Sequence, residues 1–214
     1  MPLLNELPVL SPIEMRVLGS LIEKSRSTPD YYPMTLNGLT AACNQKTSRY
    51  PVSEYSESAI QEALNLLKGQ SLVANAITSG SRVVKYKHNF TTVFEMEPEE
   101  LAILCLLMLR GPQTPGELNT NSSRLFEFKS LEHVHSVLNK LRNNETPFVI
   151  ELSKRPGQKE TRFAQLLGGE IVAEEVPHLM PQKVSNDIEE RLSELEKEVA
   201  ALKEIISRLE NKEV

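Results

Sequence analysis

The sequence predicts a mainly α-helical protein with small β-hairpins (α+β). It reads as two tandem winged helix-turn-helix domains followed by a C-terminal coiled-coil helix. Three observations predict this. The chain repeats one order of elements: apolar residues at Met15, Val17, Leu18, Leu21 and Ile22 return as Leu101, Ile103, Leu104, Leu107 and Met108, 86 positions on. Each copy closes on two short apolar runs around a turn, the pattern of a hairpin. The last 30 residues carry an unbroken heptad pattern.

The repeat extends through the shorter elements. Thr35-Leu-Asn-Gly-Leu39 returns as Thr114-Pro-Gly-Glu-Leu118 at an offset of 79. Ile60, Ala63, Leu64 and Leu67 return as Val134, Val137, Leu138 and Leu141 at an offset of 74. The shrinking offset means shorter loops in the second copy. A period of this length exceeds that of a solenoid repeat, roughly 20–50 residues, so the unit is a duplicated small domain.

In the first copy Ser11 caps a helix with Pro12 at its first position and Glu14 completing a capping box, running to about Ser25. Residues 26–34 form a loop, and Thr35 caps a short second helix that ends near Asn44. A polar stretch, Gln45 to Tyr55, precedes a third helix from about Ser56 to Gly69. Residues 72–77 and 82–87 then form a hairpin. In the second copy helices run from Pro98 to Arg110, from Pro115 after the Thr114 cap, and from Leu131 to about Asn143 after the Ser130 cap. Its hairpin pairs 148–152 with 161–164. Three helices and a two-stranded hairpin is the order of a winged helix-turn-helix. The divisions are 1–90 and 91–168 for the two domains, 169–184 for a linker and 185–214 for the coil.

In the coil, Leu192, Val199 and Ile206 occupy a positions, and Ile188, Leu195, Leu202 and Leu209 occupy d. A parallel in-register dimer sets Arg191 against the partner's Glu196 and Glu198 against the partner's Lys203. Exposed pairs of this kind contribute only about 0.2–1 kcal/mol each, so they choose orientation more than they supply stability. The expectation is a homodimer through these seven residues; the alternative is an amphipathic helix folding back on its own chain.

Composition narrows the function classes. The net charge of −5 is uneven: residues 169–214 hold 12 acidic and 6 basic side chains, while the first 168 hold 17 and 18. A near-neutral body leaves charge placement, not total charge, to decide whether nucleic acid is bound. The longest apolar run, Leu101 to Leu109, is too short to cross a bilayer, which needs roughly 20 residues. With no signal peptide pattern and two cysteines in apolar helical contexts, the expected address is the cytoplasm. No membrane partner is expected.

No motif for catalysis, metal or cofactor is present: no G-x-S-x-G, Walker A, H-E-x-x-H or C-x-x-C. His133 and His135 point about 200° apart on a helix and cannot share a metal. The expectation is therefore no enzyme and no cofactor. The candidate chemistry is recognition of double-stranded DNA. In the second copy the third helix presents Asn139 and Lys140 to base edges. Lys154, Arg155, Lys159 and Arg162 on the hairpin face phosphates, with Arg124 and Lys129 just upstream. The first copy offers Lys46, Arg49, Arg82 and Lys85, but its third helix exposes Glu57 and Glu62. Its hydroxyl-rich loop, Thr47-Ser-Arg-Tyr50, is either an anion site or a long turn.

The strings Leu10-Ser-Pro-Ile-Glu-Met-Arg-Val-Leu18, Thr35-Leu-Asn-Gly-Leu-Thr-Ala-Ala-Cys-Asn-Gln45, Ser48-Arg-Tyr-Pro-Val52 and Leu109-Arg-Gly-Pro-Gln-Thr-Pro-Gly-Glu-Leu118 resemble the YceH-like family of bacterial proteins. The resemblance covers about residues 8–168. It implies two tandem winged-helix domains and carries no activity or functional residues to transfer. Two readings of function follow. One is a dimeric DNA-binding transcriptional regulator; the other is a protein-docking adaptor, favoured by the acidic third helix of the first copy.

Overall fold

The computed structural model describes residues 7–76, 83–154 and 159–169. Among them are seven α-helices, one 3-10 turn and two small antiparallel sheets, a mixed α/β architecture. The heptad segment with Ile188, Leu192, Leu195, Val199, Leu202, Ile206 and Leu209 lies outside the described residues. So do Arg82, Arg155 and the linker beyond Gly169.

Capping chemistry sets where the helices start. In α1 (Pro12–Ser27) the Ser11 hydroxyl accepts from the Glu14 amide, and the Glu14 carboxylate accepts from the Ser11 amide at 2.9 Å. Thr35 caps α2 (Leu36–Cys43) and Ser56 caps α3 (Glu57–Gly69) by the same side-chain contact. Glu100 reaches back to the Glu97 amide at the head of α5 (Pro98–Arg110). Thr114 and Glu117 form a capping box on α6 (Pro115–Asn121), and Ser130 caps α7 (Leu131–Arg142). Each cap satisfies backbone amides that the helix itself leaves orphaned.

The strands differ more from expectation. The first sheet has three strands, because β1 (Met34–Thr35) joins the edge of the hairpin β2 (Val73–Ala76) and β3 (Lys85–His88) in the order β1-β3-β2. A two-residue strand leaves no periodic signal. The second sheet pairs β4 (Val149–Glu151) with β5 (Phe163–Gln165), and Gln113 bridges to Phe163 beside it. The helix α4 (Phe90–Phe94) is also additional. Its β-branched and aromatic sequence has little helical propensity, and tertiary packing decides it. Phe94 sits between Phe90 at 4.7 Å and Phe148 of the second copy at 5.3 Å.

The two copies share one continuous core. α5 buries every residue from Glu100 to Leu109, which accounts for the long apolar run. Its main partner is α1. Gly19 lets the helices approach: a Cβ there would lie 3.0 Å from two Leu109 side-chain carbons and 3.4 Å from Met108 Cβ. The Cys105 thiol donates to the Gly19 carbonyl at 3.4 Å. By the 86-residue offset Gly19 and Cys105 are counterparts, as are Glu23 and Leu109. Counterparts in the repeat, Gly19 and Cys105, thus meet where α1 packs on α5.

Overpacking this crossing carries a definite cost. Gly19→Val is expected to destabilise the protein by about 1–3 kcal/mol in urea denaturation. Leu109→Ala added to it should recover part of the loss; a double variant as unstable as the sum of the singles would place the cost in helix propensity instead.

Candidate nucleic-acid interface

α7 buries Val134, Val137, Leu138 and Leu141 and leaves its other face in solvent. Glu132, His135, Ser136, Asn139, Lys140 and Asn143 are all exposed there. Asn139 accepts from Arg142 at 3.1 Å, and Lys140 pairs with Glu100 at 3.0 Å while remaining 64% exposed. That pairing, a hydrogen bond and then the charge of Glu100, raises the Lys140 pKa. Lys129 just before the helix is exposed, as are Lys154 and Lys159 on the hairpin. Arg142 and Glu151 tie α7 to β4. His133 is a packing residue, edge-on to Phe126 and Phe128 at 6.0 and 5.3 Å.

Two of the expected phosphate contacts have other work. Arg162 is a brace: its guanidinium donates to Glu117 at 2.9 and 2.7 Å and to the Pro112 carbonyl at 2.8 Å. It locks β5 to the head of α6. Arg49 is corrected outright. Its side chain is 0% exposed, pairs with Glu23 at 2.6 Å and donates to the Ala42 carbonyl through two nitrogens. A fully buried guanidinium reaches no phosphate. Burial alone would raise the Glu23 carboxyl, but the bond and charge of Arg49, with Lys24, hold it below its ordinary value.

In the first copy Lys46 is exposed and Lys85 is half-buried. The polar side chains of α3 largely engage one another: Gln61 donates to Asn65 and accepts from the Tyr86 hydroxyl, and Lys68 lies over the Tyr86 ring. Glu57, Glu62 and Leu66 remain exposed. This face is acidic and apolar, unlike that of α7.

The polar stretch between α2 and α3 is a built loop. Arg16, buried in α1, donates to the Cys43 and Pro51 carbonyls and to the Ser53 hydroxyl. Asn44 and Tyr55 exchange two hydrogen bonds of 2.8 Å across its base. The Tyr50 amide donates to the Leu109 carbonyl at the end of α5, crossing between copies. Ser48 sits at φ 59°, its carbonyl accepting from Arg49 and its hydroxyl from Arg110. None of these buried arginine roles has a signal in the sequence, where an arginine reads as a surface charge.

The remaining reactive groups are quiet. Ser25 donates its hydroxyl to the Ile22 carbonyl at 2.8 Å, so the nearby His88 Nε2, 3.2 Å from that oxygen, meets it as a donor and not as a base. Burial, with a contribution from the charge of Arg26, lowers the His88 pKa to about 4. Cys43 and Cys105 are buried, and burial raises both thiols. Among the described residues no three His, Cys, Asp or Glu side chains cluster as metal ligands, and no helix is long and apolar enough to cross a membrane.

Residues 10–158 match the family model described as "Protein of unknown function, DUF480". The chain is 44% identical over 213 residues to a UPF0502 protein of Shewanella piezotolerans, covering 95% of this chain and 98% of that one. It is 41% identical over 210 residues to a UPF0502 protein of Aliivibrio salmonicida, covering 94% and 95%. A UPF0502 protein of Vibrio atlanticus is 43% identical over 207 residues, covering 94% and 95%. Alignments this complete extend past residue 168, so the relatives share much of the C-terminal segment as well.

Two outcomes are expected. Glu23→Ala, which strands the buried Arg49 charge, should cost about 3 kcal/mol or more in chemical denaturation; a near-neutral result would mean that Arg49 is satisfied by its carbonyls alone. For His88, the unfolded chain takes up a proton near the ordinary 6.5 while the folded one resists to about 4. Its contribution is therefore complete above the first value and lost as pH falls toward the second. Between about pH 7 and pH 5 the protein should lose about 2 kcal/mol through this group. His88→Gln should flatten that window, and an unchanged pH profile in the variant would refute the assignment.

Proposed function

The chain belongs to the DUF480 family, and since membership supplies no activity, we propose one from the geometry: binding of double-stranded DNA through the second copy. The observation that carries this reading is the unbroken exposed polar face of α7, with Lys129 before it and Lys154 and Lys159 on the hairpin. In this reading each copy is a winged helix-turn-helix, with α3 and α7 in the third-helix position and β2–β3 and β4–β5 as wings. A third helix enters the major groove while its wing lies along the backbone. Asn139 and Asn143 suit adenine edges, and the lysines suit phosphates. Lys140, held by Glu100 but still exposed, contributes charge at the end of the same helix.

The heptad segment would pair two chains and so present two α7 faces to a two-fold site, the arrangement of a transcriptional regulator. Catalysis is not part of this proposal. A second reading, protein docking, is favoured by one observation: the acidic face of α3 carries Leu66, which is 59% exposed.

The test is fluorescence anisotropy of the full chain with a random 30-base-pair duplex across a salt series. Micromolar binding is expected, weakening steeply with salt. Lys154→Ala and Lys159→Ala should each reduce the salt slope by about one, whereas Arg49→Ala should affect stability instead. Absence of binding at low salt would sink the regulator and favour docking. In that case Leu66→Asp should abolish capture of the partner.

A further inference from the structure

A cleft of about 450 Å³ lies between the two copies. Its walls are the last turn of α1, Gln45, Thr47 and Ser48 of the loop, the end of α5 and the segment after α6. That volume is within the range of small-molecule sites. Its charged side chains are Lys24, Arg26, Arg110 and Arg124, against Glu23 alone.

The structural explanation for these cations covers only part of them. α1 and α5 both end at the cleft, and each helix C-terminus carries about half a negative charge that a basic residue complements. Glu23 pairs with the buried Arg49 at 2.6 Å and with Lys24 at 3.1 Å. With Lys24 paired to Glu23 and the two helix ends together balancing about one more cation, about two of the four remain unmatched. Arg110 is half-buried, yet its hydrogen bonds go only to neutral oxygens: Asn121 at 2.8 Å and Ser48 at 2.7 Å. With no carboxylate in hydrogen-bond contact, this partly desolvated guanidinium has its charge met only in part, by Glu23 at longer range. Arg26 and Arg124 are exposed and bond nothing among the described residues, so both guanidinium forks are free. Thr47 and Ser48 add hydroxyls to the wall, and the left-handed backbone at Ser48 aims its hydroxyl at Arg110. Strain of that kind persists only where surrounding contacts hold it.

We infer that this cleft binds a small anion bearing a phosphate group. Arg26 and Arg124, one from each copy, take its oxygens, and Arg110 supplies a fixed third charge. Guanidinium forks match phosphate oxygens bidentately, which lysine cannot do. The volume exceeds what one phosphate fills, so the ligand carries a further body. A duplex backbone presents the same chemistry, and the experiment separates the two sources.

Pyrophosphate is titrated calorimetrically into the full chain, with sodium chloride of matched ionic strength as the control. Saturable one-site binding is expected. Arg26→Gln combined with Arg124→Gln should weaken it at least about tenfold; neither side chain braces the fold. Lys154→Gln with Lys159→Gln should leave it unchanged. No saturable heat, or equal affinity in the Arg26/Arg124 variant, overturns the inference. Displacement of pyrophosphate by random duplex also overturns it, by giving the seat to a backbone phosphate. If DNA fails to bind while pyrophosphate binds and the arginine variant loses it, the proposed function falls and this site stands.

Discussion

The contact of α1 with α5 at Gly19 is the constraint on which the rest of the structure depends. Glycine inside a helix costs about 1 kcal/mol against alanine, and here the space it leaves is filled by Leu109. Because the helices lie so close, the terminal carbonyl of Leu109 meets the Tyr50 amide from the other copy. That bond satisfies one of the acceptors a helix end leaves open. It also holds the loop between α2 and α3 against α5, and the cleft exists because the loop is held there. A single close approach thus lies within the shared core and shapes a strongly cationic cleft.

Charge in this protein is sorted by depth. Arg16 and Arg49 are buried and act on backbone carbonyls, fixing a loop with no regular hydrogen-bond ladder of its own. Arg162 and Arg142 tie sheet to helix through carboxylates. Among the cations that remain exposed to a ligand are the lysines of the second hairpin and α7, Lys46 and Lys87 of the first copy, and Arg26 and Arg124 of the cleft. Buried cations stabilise by organising the chain, whereas exposed ones confer little stability and are free to recognise an anion.

Much of the fold was legible because its signals are local. Ser11, Thr35, Ser56, Thr114 and Ser130 cap helices at the positions their hydroxyls suggest, and the apolar spacing of α1, α3, α5 and α7 marks their buried faces. What escaped depends on distant partners. β1 is a strand only because β3 lies beside it, and α4 is a helix only because Phe94 packs on Phe148. The site was less legible for the same reason. Arg49 and Lys46 are near neighbours in sequence, yet one is buried and the other exposed, and no spacing rule distinguishes them. Arg26, Arg110 and Arg124 come together through the helix crossing, which no stretch of sequence encodes by itself.

The packing of α1 on α5 sets against each other two helices that hold equivalent places in the sequence repeat. Between separate molecules such a contact would form only above its dissociation constant. Within one chain each helix meets its counterpart at a fixed effective concentration, on the order of millimolar for a short tether. Assembly of the pair is therefore independent of how much protein a cell makes. Covalent linkage also releases the two sides from identity. Gly19 has no side chain where its counterpart Cys105 carries a buried thiol, and the acidic face of α3 differs from the lysine- and asparagine-bearing face of α7. A symmetric pair must keep both surfaces alike; a tethered one can specialise each.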